Sequence, residues 1–145
     1  MFKHILLPTD GSAISSAIVQ NCVAFAKACG ATVTGMHMIA PFQVLTPHAE
    51  MLESTREQYR QDSQAHARRC LEEIEHAARE QGVPYKSLVC DGEQAYEVII
   101  RTAREQGCDL ICMASHGRRG IKGVLLGSET QKVLTHSQIP VLVFR

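Results

Sequence analysis

Short apolar runs alternate along this chain with segments whose apolar residues recur every three or four positions. The first run, Phe2 to Leu7, stops at Pro8. Behind it Ile14, Ile18, Cys22 and Phe25 step by four, four and three, which is one face of a helix. Ser12 stands where the cap of that helix belongs, and Gly30 where a left-handed residue closes it. A strand is predicted from Val33 to Ile39. Ala40 to His48, with Pro41 and Pro47, reads as a loop. Leu52, Tyr59, His66, Cys70, Ile74 and Ala77 then share one face of a long helix, punctuated by Gly82 and Pro84. Tyr85 to Cys90 is the next strand. Ala95, Val98, Ile99 and Thr102 mark a shorter helix that Gly107 ends. Cys108 to Ala114 reads as a strand, Ser115 to Leu126 as a glycine-rich loop, Ser128 to Ser137 as a helix, and Pro140 to Phe144 as a last strand.

Five strands alternating with helices imply an α/β fold, a parallel sheet with helices on both faces. No repeat, linker or low-complexity stretch divides residues 1–145, so a single doubly wound domain is expected. Right-handed crossovers leave few strand orders. In every one of them ligands bind outside the carboxyl ends of the strands, where the order reverses. The residues just after each strand are therefore where function is sought.

Composition narrows the classes. Hydrophobic residues make up 45% of the 145, enough for a sizeable core. Fifteen basic residues balance fifteen acidic ones, which predicts no footprint for nucleic acid or an anionic membrane. The opening MFKHILLPTDGS falls short of a signal peptide, and no apolar run reaches the length of a membrane span. The six cysteines form no CxxC pair and match no zinc framework. Reduced thiols acting as small apolar residues are expected, in a cytoplasmic protein.

Two segments fall at carboxyl ends. Pro8-Thr9-Asp10-Gly11-Ser12 follows the first strand. Ala114-Ser115-His116-Gly117 follows the fourth, and nine residues later comes Gly127-Ser128-Glu129-Thr130. Ser128 and Gln131 have the spacing of a capping box, which predicts a helix start. A helix start presents unpaired N–H groups and partial positive charge, suited to phosphate. Gly117 and Gly127 allow close backbone approach, and Arg118, Arg119 and Lys122 bring countercharge. The same glycines, serine and basic residues also suit an ordinary loop-to-helix connection with a solvated face. Neither the P-loop pattern nor G-x-G-x-x-G occurs.

ILLPTDGS, MASHGRRGIKGVLLGSETQKVL and IPVLVFR together resemble the universal stress protein family, over the whole length and in the order of elements. Nucleotide-binding members carry Gly-x-x-Gly, nine residues, then Gly followed by Ser, Thr or Asn. Here Ala114 stands at the first glycine, while Gly117, Gly127 and Ser128 are in register. The resemblance implies a sheet order 3-2-1-4-5 and a site for ATP with magnesium. Pro8, Thr9 and Asp10 would hold the adenosine end, and Ile39 or Met38 would line the adenine pocket. Met113 and Ala114 would flank the ribose. Gly117, Gly127, Ser128, Glu129 and Thr130 would meet the phosphates, chiefly through backbone N–H groups, with His116 and Arg118 beside them as further nucleotide-contact candidates. It also implies a homodimer through the last strand, Val141 to Phe144. A methyl at Ala114 costs little if its φ is negative and on the order of 1 kcal/mol if positive.

Other residues carry weaker chemistry. His116 is either a phosphate contact or a packed loop histidine. Asp10 is either a ligand contact or a simple turn and cap residue. His66 has only Cys70 at metal spacing, and two ligands make no site, so packing is expected there. Three functions remain: an ATP-binding regulatory or stress-survival factor, a slow ATPase, and a dimeric interaction module without nucleotide. The intact Gly117…Gly127-Ser128 register disfavours the last. The lack of magnesium carboxylates and of an oriented base disfavours the second. No catalytic or metal-ligating residue is assigned.

Overall fold

The computed structural model describes residues 1–43, 49–116 and 126–145, without the side chains of residues 13, 14 and 49–52. Its elements run β1 (His4–Pro8), α1 (Ala13–Cys29), β2 (Thr32–Ile39), α2 (Ala49–Gln81), β3 (Tyr85–Asp91), α3 (Ala95–Glu105), β4 (Leu110–Ala114), α4 (Ser128–His136) and β5 (Val141–Phe144). The five strands form one sheet in the order β3-β2-β1-β4-β5, every pair parallel. This is the expected α/β architecture and the expected order.

Alternation along the strands sorts the core into two layers. Ile5 and Leu7 of β1, Val33 of β2 and Leu110 and Cys112 of β4 pack against Val19, Cys22 and Val23 of α1 and Leu71, Ile74 and Ala77 of α2. Leu6, Met36, Ile111 and Met113 point the other way, onto Val98, Ile99 and Ala103 of α3 and Val133 of α4. Ile5 and Leu6 are neighbours fully buried on opposite faces, each burial worth roughly 2 kcal/mol. A central parallel strand therefore reads as an unbroken apolar run, whereas the edge strand β3 alternates half-buried Leu88 and Cys90 with exposed neighbours.

The punctuation behaves as its chemistry dictates. Ser12 caps α1, its Oγ accepting from Ser15 N at 3.2 Å. Gly30 closes that helix at φ 67°, where a side chain would be strained. Strand starts differ from expectation: β1 begins at His4 rather than Phe2, and β4 at Leu110 rather than Cys108. The reason at both is Asp109, whose carboxylate accepts from the backbone N–H groups of Lys3 (2.8 Å) and His4 (3.0 Å) and takes the place of ladder partners. All six cysteines are free thiols, four of them buried. Burial pushes the Cys108 thiol up to about 11. Hydrogen bonding to Cys112 first, and then burial, raise Cys22, so both stay protonated core residues. No described helix is long and apolar enough to cross a membrane.

The expected loop Ala40–His48 is described only to residue 43. The side chains of Ile14 and Leu52 on the expected helical stripes lie outside the described residues. Tyr59, on the latter stripe, is half-buried with its hydroxyl donating to Ala40 O at 2.7 Å and its ring against Phe42.

Candidate functional site

β1 and β4 lie side by side, and strand order reverses between them. The connections leaving their carboxyl ends part there, which opens the crevice where doubly wound sheets bind ligands.

The turn after β1 is braced by side chains. Thr9 is buried; its N–H donates to Met36 O at 2.8 Å and its carbonyl accepts from His37 Nδ1 at 2.9 Å. Its Oγ1 accepts from Gly11 N at 3.2 Å. Asp10 Oδ1 accepts from Ser12 N (2.9 Å) and Ser15 Oγ (3.0 Å), so the carboxylate faces the start of α1. Gly11 has φ 75°, and a Cβ there would lie 2.6 Å from Cys70 Sγ on α2. Both the conformation and the contact require glycine. Asp10 is thus a turn and cap-supporting residue, one of its two expected roles, and sits half-buried at the crevice.

The described ends of the connection after β4 are held by two backbone bonds and one side-chain bond. Ser115 N donates to Phe144 O at 2.8 Å, Gly127 N to Ser115 O at 2.6 Å, and Thr130 Oγ1 to Ala114 O at 2.9 Å. The last two bonds draw the first turn of α4 onto the end of β4. Gly127 itself is the N-cap, at φ −65° and ψ 149°, and has no side chain with which to cap the helix. The capping box expected of Ser128 and Gln131 is not formed: the helix begins one residue earlier, so Ser128 is already helical and Gln131 N donates to Gly127 O at 3.0 Å. The N–H groups of Ser128, Glu129 and Thr130 have no acceptor within their own helix.

Glu129 shows a role that sequence reading missed. Its Oε2 accepts from Tyr96 N at 3.0 Å, at the start of α3, and its Oε1 meets Lys132 Nζ at 2.8 Å. Hydrogen bonding to Glu129 holds the Lys132 ammonium above its ordinary range. The carboxylate therefore faces α3.

Ala114 carries no strain, because no described residue other than glycine has positive φ. The Met113 side chain is buried in the layer of α3 and α4, so only its backbone borders the crevice. Pro8 and Ile39 are half-buried at the ends of β1 and β2, and Met38 packs on the layer of α3 and α4. His116 Nδ1 lies 3.0 Å from Ser115 Oγ. Gly117, Arg118, Arg119 and Lys122 lie outside the described residues. The structure thus brings the Pro8–Asp10 segment and the Ala114–His116, Gly127–Thr130 pair to adjacent strand ends. His37, His66 and Cys70, which support the turn from behind, carried no motif in the sequence that would single them out for it.

The family model described as universal stress protein family matches residues 1–145. Universal stress protein YxiE of Bacillus subtilis is 31% identical over 149 residues, covering 100% of both chains. The solved structure of protein MJ0577, a universal stress protein of Methanocaldococcus jannaschii, superposes with a TM-score of 0.81 at 29% identity, over 99% of this chain and 95% of that one. A universal stress protein from Archaeoglobus fulgidus, solved in complex with dAMP, superposes with a TM-score of 0.65 at 16% identity over 100% and 98%.

Proposed function

The chain belongs to the universal stress protein family, and from that premise we propose that it is a regulatory or stress-survival factor that binds ATP across the carboxyl ends of β1, β2 and β4. One observation carries the reading. The start of α4, whose cap residue is a glycine, is tied to the end of β4 beside the Thr9–Ser12 turn. The starts of α1 and α3 take a side-chain acceptor each, from Ser12 and Glu129. A nine-residue helix whose cap is a glycine offers the N–H groups and dipole of its start to an anion. The dAMP complex of the Archaeoglobus protein supports an adenine nucleotide as the ligand class.

In this reading Pro8, Thr9 and Asp10 border the adenosine and Ile39 the base. The backbone of Met113 and Ala114 borders the ribose, and His116 with Gly127, Ser128, Glu129 and Thr130 borders the phosphates. Gly117 and Arg118 complete the loop. Magnesium would arrive on the nucleotide's own phosphates. Asp10 Oδ1 is engaged by Ser12 and Ser15 in bracing the turn, and binding ground and transition states alike would give occupancy without acceleration. ATP turnover is expected well below about 1 per second, far under the roughly 10 per second of a typical enzyme.

Calorimetry with ATP and magnesium tests the proposal. One saturable site per chain is expected, with a thermal shift reflecting about 2.7 kcal/mol at a hundred times Kd. No heat and no shift at millimolar ATP would refute it. The proposal includes a homodimer through β5, a strand of half-buried Val141, Leu142, Val143 and Phe144 at the edge of the described sheet, beside β4. Sedimentation at tens of micromolar should show the dimer, and a monomer alone would count against that part.

A further inference from the structure

Behind the Thr9–Ser12 turn lies a side-chain cluster to which the nucleotide reading gives no role. His37 on β2 is 8% exposed, and its Nδ1–H donates to the Thr9 carbonyl at 2.9 Å. His66 on α2 meets the His37 ring edge to face, with centroids 5.3 Å apart and planes at 76°. One turn along α2, Cys70 Sγ lies 3.5 Å from His66 Nε2. Gly11 rests on this pair, since a Cβ there would lie 2.6 Å from Cys70 Sγ and 3.2 Å from His66 Cε1. Two elements therefore hold the residues on either side of Asp10. β2 fixes the carbonyl before it, and α2 supports the glycine after it.

The Thr9 carbonyl shares a rigid peptide plane with the Asp10 N–H, so anchoring one orients the other. A carbonyl just past a strand end is readily satisfied by water; a buried imidazole gives it one direction instead. Ordering a binding turn before the ligand arrives removes that ordering from the cost of binding. We infer that His37 is a positioning residue for the nucleotide. Acting through the Thr9 carbonyl, it presets the turn that carries Asp10, and His66 on α2 packs against its ring, with Cys70 beside His66. The inference rests on the reading that adenosine borders this turn.

The test uses the full chain and two variants. His37→Leu removes the donor, whereas His37→Asn keeps an N–H close to the position of Nδ1. Two quantities are measured: the ATP dissociation constant, and the rate at which iodoacetamide alkylates Cys70 without nucleotide, read on the Cys70 peptide by mass spectrometry. Cys70 is 5% exposed beneath Gly11, so its alkylation reports loosening of the turn. His37→Leu should weaken ATP about tenfold, or ~1.4 kcal/mol, and accelerate alkylation by a similar factor. His37→Asn should stay within about threefold of the parent in both. Equal losses in both variants would overturn the inference, because they would trace the effect to ring packing. So would unchanged binding and alkylation in His37→Leu. Should His37→Leu not fold, His37→Gln, whose amide is displaced by one methylene, replaces it with the same expectations. A parent protein that binds no ATP sinks the nucleotide reading instead, and the alkylation rates then decide the bracing of the turn by themselves.

Discussion

The turn after β1 and the connection from β4 into α4 end side by side, yet their main-chain N–H groups fare differently. Around Thr9–Ser12, the N–H groups of Thr9, Gly11, Ser12 and Ser15 all have acceptors, three of them side-chain oxygens. Around Gly127–Thr130, the cap is a glycine, and three successive helical N–H groups have no acceptor in their own helix. In the first region these N–H groups are engaged within the fold, and what the turn presents is shape and the Asp10 side chain. The second is held by two bonds to the end of β4, one of them from the Gly127 N–H. A doubly wound sheet brings the two together because strand order reverses between β1 and β4. Steric fit on one side and backbone donors on the other suit a ligand with an apolar base at one end and phosphates at the other.

The largest effect should come from the braced side. Gly11→Ala places a methyl at φ 75° and 2.6 Å from Cys70 Sγ. Left-handed backbone costs an L-residue roughly 1–2 kcal/mol, and overpacking adds a comparable amount. A loss of about 3 kcal/mol in urea unfolding is expected. A loss below about 1 kcal/mol would show that the turn yields easily, and the contrast between the two regions would collapse.

Gly127→Val tests the other side and should separate binding from folding. At φ −65° and ψ 149° any residue is tolerated, so stability should fall by no more than about 1 kcal/mol. The added side chain would crowd the donors of α4, and ATP should bind at least tenfold more weakly, about 1.4 kcal/mol. Equal affinity in parent and variant would refute the assignment of phosphates to this helix start.

Much of this contrast was legible in the chain, and the unread part has physical causes. Ser12 and Gly30 bounded α1 because a cap serine and a left-handed glycine each have one place to stand. The strands were legible as apolar runs, Ile5, Leu6 and Leu7 being buried on both faces. Their order came through the resemblance carried by ILLPTDGS and the Gly127-Ser128 register, since apolar runs say nothing of neighbours. The capping box at Ser128 misled because Ser-x-x-Gln spacing marks a helix start without deciding which residue takes extended dihedrals; Gly127 takes them. His37 and His66 are 29 residues apart, and only the packing of α2 on β2 makes them neighbours. Their interaction leaves no trace in spacing. His66 was readable as packing, and it does pack, but on what could not be read.

The smallest effect sharpens the comparison most finely, because it concerns the one carboxylate set within the donor-rich helix start. Glu129→Gln removes a charge from the first turn of α4. If that carboxylate faced the phosphates, neutralising it would relieve repulsion and tighten ATP markedly. Its oxygens instead meet Tyr96 N at 3.0 Å and Lys132 Nζ at 2.8 Å. The glutamine oxygen can still accept from Tyr96, so the start of α3 keeps its partner. The ion pair with Lys132 is lost, but both side chains are more than a third exposed, and such pairs contribute roughly 0.2–1 kcal/mol. The favourable meeting of a first-turn carboxylate with the helix dipole is lost as well, worth about as little at the surface. Stability should therefore drop by roughly 0.5 kcal/mol, and the ATP dissociation constant should move less than about threefold. A tenfold change in affinity in either direction would place the carboxylate on the ligand side. The region would then be one where a side chain, as at the turn after β1, takes part in recognition, and the division between a side-chain-built half and a backbone-built half would not hold.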